Sequence, residues 1–373
     1  MKGVESASSD GQMGQQPTIH DVALRAMVSP ATVSRLINGS APVSRETERA
    51  VRQAMQELGY VPSRLAQSFA RGSSRTVLFL VDGESESMQN NSFLMTIVLG
   101  LNDVLADADY SIRIMSGHQT VEGIRKNAMQ WTTEAWRRRE FDGMVLSNPT
   151  TNDPLIEAVI ERQIPAVVIG RYSRVTGVVQ VDVDNVGGAR LATQHLTALG
   201  HRRIAFLGPP DVLTVTSDRR QGYLEALVRM GIKPTEAWIL QTDGVDLEVF
   251  SFEAARRTVE KALKAQPEWT ALVAFNDEMA LGAMRALAEA GLRVPEDVSL
   301  VGFDDLPYAR MVTPPLSTVH QDIQQLGQHA GRALLVLLRG QSAADLTIQT
   351  VSLVKRATTA PLATSAETVD FTI

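Results

Sequence analysis

Over the first 75 residues the apolar positions are sparse and spaced for short helices; beyond them they gather into compact runs separated by longer helical patterns. Residues 18–38 predict two short helices joined by a tight turn. Ser29 stands as N-cap of the second and Pro30 at its first position, where a missing N–H costs nothing. This second helix presents Ala31, Thr32, Ser34 and Arg35, too polar a face for a core element. It is the right size to enter the major groove of duplex DNA with its N-terminal residues facing base edges. A third helix starts from Ser44 as N-cap, carries Val51, Ala54, Met55 and Leu58 on one stripe, and stops at Gly59. Tyr60-Val61-Pro62 is an extended break, residues 64–70 allow two helical turns, and residues 71–75 read as a linker.

After Thr76 short β-branched runs alternate with helical patterns. The first set predicts strands at 76–81, 111–115, 143–146 and 166–169, with helices near 93–108, 121–139 and 155–162. A second set, beginning near Val178, predicts helices at 186–199, 219–230, 252–265 and 278–290 and strands at 204–207, 238–240, 271–275 and 298–301. Such alternation argues for doubly wound parallel sheets, and two sets argue for two similar lobes with a cleft between them. Ligands in such sheets bind at the carboxyl ends of the strands.

Charge sharpens this division. The net charge is −6, but residues 17–76 hold eight Arg against four Asp/Glu, a small basic module on a large acidic body. That asymmetry suits a nucleic-acid reader attached to something that must not itself adhere to phosphates. The longest apolar runs, such as Val77–Val81, are far short of a membrane span, and residues 1–16 lack the apolar core of a signal peptide and read as a disordered arm. With no cysteine there are no disulfides, thiolate nucleophiles or Cys-held zinc, and a cytoplasmic location is expected.

The candidate chemistry is sparse. No dinucleotide fingerprint, P-loop or Gly-x-Ser-x-Gly is present, so no enzyme is expected. His195 and His201 are six residues apart with no third ligand nearby, and neither metal nor cofactor is expected. Asp304-Asp305 could pair as acid and base, but neighbours at a strand end point in different directions, and one of them reads as a cap.

Several segments together resemble the lactose-repressor family of bacterial transcription regulators. Asp21-Val22-Ala23, Val28–Arg35 and Asn38-Gly39 match its helix-turn-helix, and Val43-Ser44, Thr47 and Gly59–Pro62 match the remainder of its head. Asp184-Asn185, Gly200–Ala205, Arg219 with Gly222-Tyr223, Asn276–Ala280, Gly302–Asp305 and Pro314–Val319 match motifs of its body. The resemblance implies an all-α helix-turn-helix head on an α/β body like the periplasmic sugar-binding proteins, two-lobed and closing on a small effector. It further implies a dimer on a near-palindromic operator, most simply as a repressor, with the effector a sugar, sugar acid, sugar phosphate or nucleobase. The alternative is a solute-binding protein without DNA-directed function, which should have a signal peptide and lack the basic head.

The implied divisions are an arm (1–16), the head (17–62), a hinge helix and linker (63–75), the body (76–362) and a tail (363–373). Within the body, lobe 1 would take about 76–174 plus 307–335 and lobe 2 about 175–306 plus 336–362. The tail carries no leucine heptad, which favours a dimer over a tetramer.

Carried over by position, the DNA-contacting set is Thr18, Ser29, Pro30, Ala31, Thr32, Ser34, Arg35, Asn38, Ala66 and Phe69. Ser29 and Thr32 would touch phosphates, Pro30 and Ala31 thymine methyls, and Arg35 a guanine or else a phosphate. Asn38 would be a turn residue, and Phe69 either a minor-groove wedge or a packing partner of its twin. Met27 stands where the family often has Gly, so it should either alter the turn or pack beneath the head. The effector set is Arg171, Arg219, Phe250, Asn276 and Asp304, with Phe250 stacking on the ligand or serving as a core aromatic. Arg171 and Arg219 together hint at an acidic effector.

Overall fold

The computed structural model describes residues 17–38, 41–62, 73–81, 91–116, 118–121, 124–147, 153–172, 177–211, 213–243, 250–265 and 267–362. They fall into two compact units, Met1–Ser74 and Arg75–Ile373. Ala66, Phe69, the arm and the tail lie outside the described residues.

The head contains α1 (Ile19–Arg25), α2 (Pro30–Asn38) and α3 (Arg45–Leu58). Each begins where the capping chemistry says it should. Thr18 and Asp21 close a reciprocal capping box, Ser29 Oγ accepts from Thr32 N, and Ser44 Oγ accepts from Thr47 N. Val22, Ala23, Val33, Val51 and Ala54 form the small core, closed by Ile19, Leu36, Met55, Leu58 and Tyr60. The stripe read on the third helix is thus the face it buries.

Met27 does not pack beneath the head. It holds the turn with φ at 54° and is 93% exposed. Val28 N donates to Ala23 O and Met27 N to Leu24 O, and these bonds keep the left-handed conformation despite its cost to a side-chain-bearing residue.

The second unit is built on two six-stranded sheets. The first draws on β1 (Thr76–Val81), β2 (Ser111–Ser116), β5 (Gly143–Ser147), β6 (Ala166–Ile169), β7 (Val179–Val183) and β13 (Leu346–Gln349), in the order β13-β7-β6-β5-β1-β2, all parallel. Its helices are α4 (Ser92–Leu105), α5 (Ala128–Arg137) and α6 (Pro154–Glu161), and β3 (His118–Val121) and β4 (Ile124–Asn127) form a separate hairpin. The second sheet is built from β8 (Ile204–Gly208), β9 (Ile239–Gln241), β10 (Ala271–Ala274), β11 (Ser299–Asp304), β12 (Ser317–His320) and β14 (Ser352–Val354), ordered β14-β12-β11-β10-β8-β9. β14 alone runs antiparallel. Its helices are α7 (Asn185–Ala198), α8 (Thr214–Arg229), α9 (Phe252–Leu263) and α10 (Asp277–Glu289), while α11 (Ile323–Leu338) returns to pack on α4.

Three strands fall on the other side of the division read from the sequence. β7 and β13 pair with each other in the first sheet, and β12 pairs with β11 in the second. The alternation along β7 buries Val179, Val181 and Val183 beside β6, where the first sheet still has an open edge to extend. The chain therefore crosses between lobes three times, at residues 183–185, 320–323 and 349–352. The helix expected at 121–139 starts only at Ala128, because Asn127 caps it in a capping box with Gln130 and the residues before pair as a hairpin. Among the described residues no helix is long and apolar enough to cross a membrane, and no group of His, Asp and Glu is placed to hold a metal ion.

α7 and α8 meet backbone to backbone. A Cβ on Gly222 would lie 2.1 Å from Val186 O, so only glycine lets α8 sit close enough to carry Arg219 to its partners.

Candidate functional site

In the head, Ser29, Pro30, Ala31 and Arg35 are exposed at one end and face of α2, with Thr32 and Ser34 half-buried beside them. Ser29 Oγ and Thr32 Oγ1 are 2.9 Å apart, so the cap orients both hydroxyls at the helix start, where backbone N–H groups also attract anions. Arg35 forms no ion pair among the described residues. Its guanidinium is therefore available to a base edge or phosphate. Asn38 is the last residue of α2, and its Nδ2 donates to Ser34 Oγ at 3.1 Å. Asn38 is thus a helix end bonded to the preceding turn of α2 rather than a turn residue.

In the body a cavity of about 540 Å³, counting the space open to solvent, is lined from the first lobe by Asn91, Ser92 and Phe93. From the second lobe it is lined by Val215, Arg219, Phe250, Phe275, Asn276, Glu278, Asp304, Leu306 and Tyr308.

Arg219 organises the cavity. Only 4% exposed, it donates from Nε to Asn185 Oδ1 at 2.9 Å and from Nη1 to the Phe275 carbonyl at 2.5 Å. Its Nη2 is 3.6 Å from Asp304 Oδ1. The guanidinium lies 3.6 Å from the ring centroid of Phe303 and 4.5 Å from that of Phe275, stacked by two aromatic faces. Burial opposes its charge, while Asp304, Asp182 and Asp277 favour it.

Asp304 ends β11 in a left-handed backbone conformation, φ 111°, which aims its carboxylate at Arg219 and at Gln321. Burial pushes its pKa up to about 6, against the opposing pull of Arg219 and Gln321. Asp277 is raised well above the usual carboxylate range, first by burial and then by the Asp304 charge; it accepts from Thr318 Oγ1 and Leu306 N. A Cβ on Gly302 would stand 2.4 Å from Asp277 Oδ1, so the glycine of that motif makes room for the carboxylate.

Asn276 caps α10, its Oδ1 accepting from Met279 N at 2.8 Å, and so turns its amide donors rather than its oxygen to the cavity. Phe250 lines the cavity and also packs 5.3 Å from Phe275.

Arg171 does not line the cavity. Its Nη2 donates to Asp218 Oδ1 at 2.7 Å, joining the loop after β6 to α8. With that guanidinium paired, the two-arginine argument for an acidic effector fails. Asp304 and Asp305 do not share a proton, and neither is a cap: Asp305 binds Arg356 and His320 instead. His201 bonds Thr270, Ser299 and the Ala360 carbonyl, and so ties the returning C-terminal segment to the second lobe. Asn91, Ser92, Glu278 and Tyr308 escaped sequence reasoning. Glu278 alone stood inside a recognised motif, and only the fold brings residue 91 opposite residue 304.

Residues 18–63 match the model for bacterial regulatory proteins of the lacI family, and residues 193–359 that for the periplasmic binding protein-like domain. The chain is 34% identical over 330 residues to the HTH-type transcriptional regulator CelR of Thermobifida fusca, covering 88% of this chain and 94% of that protein. It is 32% identical over 344 residues to the lactose operon repressor of Escherichia coli K12, covering 92% and 90%. Among solved structures, a lac repressor dimer bound to operator and the anti-inducer ONPF superposes with a TM-score of 0.78 at 30% identity, over 93% of this chain and all of that one. A CelR–cellobiose complex gives 0.70 at 32% identity, over 92% and 99%. A solute-binding protein without a DNA-reading head does not account for the match over 18–63. The chain belongs to the lacI family of bacterial regulatory proteins, a helix-turn-helix transcription regulator with a periplasmic-binding-protein-like body.

Proposed function

We propose that this protein represses transcription by binding an inverted-repeat operator as a homodimer, and that a sugar in the cleft of the body alters its grip. The observation that carries the reading is one chain holding both parts: a basic head with Arg35 exposed on α2 and without an ion-pair partner among the described residues, and a body whose cavity is lined by both lobes. A ligand touching both lobes has different affinities for their open and closed arrangements, and that difference is what shifts the population. Relatives solved with operator and with cellobiose support both halves.

On this reading Ser29, Thr32 and Thr18 contact phosphates, Pro30 and Ala31 meet base edges, and Arg35 reads a guanine. Ala66 and Phe69 belong to a hinge segment between head and body. Arg219, Asn276, Asp304 and Phe250 hold the sugar. The protein works in the cytoplasm and catalyses no reaction.

The test is selection from a randomised duplex pool with the purified full chain. Recovery of one inverted repeat supports the reading, and a pool that stays random after repeated rounds removes it.

A further inference from the structure

We infer that the cleft discriminates by charge: it accepts an uncharged saccharide, turns away the acid and phosphate forms of the same sugar, and uses Glu278 to enforce the difference. This deepens the sugar reading above and rests on it.

Among the described residues, the charged side chains lining the cavity are one guanidinium, Arg219, and two carboxylates, Asp304 and Glu278. Arg219 has little charge to offer a ligand. It is engaged by Asn185 and the Phe275 carbonyl, lies beside Asp304, and is further balanced by Asp277 and Asp182 behind it. Arg171, the second arginine of the sequence-read effector set, is paired with Asp218 and is not among the described residues that line the cavity.

Glu278 has an oxygen to spare. Its Oε1 accepts from Phe252 N at 3.2 Å, and among the described residues it has no cationic partner. Burial raises its pKa, while the Phe252 N–H and its place in the first turn of α10, where the helix dipole favours a negative charge, act the other way. An arriving anion would meet two carboxylates and an arginine already matched, in a cleft where charges are poorly screened. A polyol meets what it needs: carboxylate acceptors, the amide donors of Asn276 and Asn91, the hydroxyls of Tyr308 and Ser92, and the aromatic faces of Phe250 and Phe275. Both asparagines spend their oxygens on helix caps, Asn276 on Met279 N and Asn91 on Leu94 N, and so face the cavity as donors.

The test uses matched sets on the full chain: glucose, glucuronate and glucose 6-phosphate; ribose and ribose 5-phosphate; cellobiose and cellobiose 6-phosphate. Thermal-shift screening finds the set that binds, and calorimetry gives the ratio of neutral to anionic affinity. The expected ratio is about tenfold or more in favour of the neutral member. Glu278→Gln, which keeps an acceptor for the Phe252 N–H, should narrow that ratio by about tenfold. An acid or phosphate that binds as tightly as its parent overturns the inference while leaving the sugar reading intact; an unchanged ratio in Glu278→Gln overturns the role of that residue. If no member binds at tens of millimolar, the sugar reading itself fails and the inference goes with it.

Discussion

The side-chain amide of Gln321 donates to Asp304 Oδ1 at 2.5 Å, so a carboxylate of the cleft is hydrogen-bonded to a segment where the chain passes between its lobes. Arg219 makes the corresponding tie at another crossing through Asn185, whose own Nδ2 donates to Asp182 Oδ1 at 2.9 Å. A ligand that competes for Asp304 or Arg219 therefore acts on two of the three crossings at once. Effector and hinge share the same buried polar network, and such networks are costly when left half-satisfied.

Gln321 does not line the cavity, so its replacement separates coupling from binding. Gln321→Leu should cost about 1–3 kcal/mol by leaving the buried Asp304 oxygen short of a donor. It should also shrink the effect of a bound sugar on operator affinity while the sugar still binds. Urea unfolding reads the first effect, and operator titration with and without sugar reads the second.

Asp182 gives a pH signature. Burial raises its pKa from 3.8 to about 6, so the folded state binds this proton more tightly than the unfolded state does. The stabilisation from the protonated form is complete below about pH 4, declines as pH rises, and is lost above about pH 6. Asp182→Asn keeps an acceptor for Val183 N and Asn185 Nδ2 and removes the charge. It should be near neutral at pH 4 and stabilising by up to about 3 kcal/mol at pH 8, from the size of the shift. Equal effects at the two pH values in chemical denaturation would show that the carboxylate carries no such penalty.

Arg35→Ala should leave stability within about 0.5 kcal/mol, since the side chain is exposed and has no ion-pair partner among the described residues. At the base it reads, discrimination should fall by about 1–3 kcal/mol. Competition binding against operators changed one base at a time checks this. Uniform weakening across all sequences would assign Arg35 to a phosphate instead.

Met27→Gly should stabilise the head by up to about 1 kcal/mol. It relieves the left-handed conformation at φ 54° and loses no buried surface from a side chain that is 93% exposed. The entropy of the added glycine offsets part of the gain. Thermal unfolding of the full chain, followed for its first transition, measures the effect.

Most of the scaffold could be read from local patterns, because its signals are local. Ser29-Pro30 marks a helix start, and the stripe of Val51, Ala54, Met55 and Leu58 marks a buried face. The runs 76–81 and 166–169 are strands because they are buried on both sides of a parallel sheet. What escaped is non-local. Nothing within β7 or β13 says which sheet offers an edge, so pairing across more than 160 residues decides it. Arg171 looked like a ligand group until the fold brought Asp218 to it. Asn91 and Ser92 carry no motif, and they enter the cavity only because α4 starts at its rim.

The decisive measurement is the affinity of the full chain for its selected inverted repeat, followed by fluorescence anisotropy as a neutral sugar that binds the cleft is titrated in. A saturable change in operator affinity of about 5- to 150-fold is expected, the span of ordinary coupling between two sites, and Asp304→Asn should abolish it. Operator affinity that stays constant while calorimetry shows the cleft filling would contradict a sugar-controlled grip on DNA.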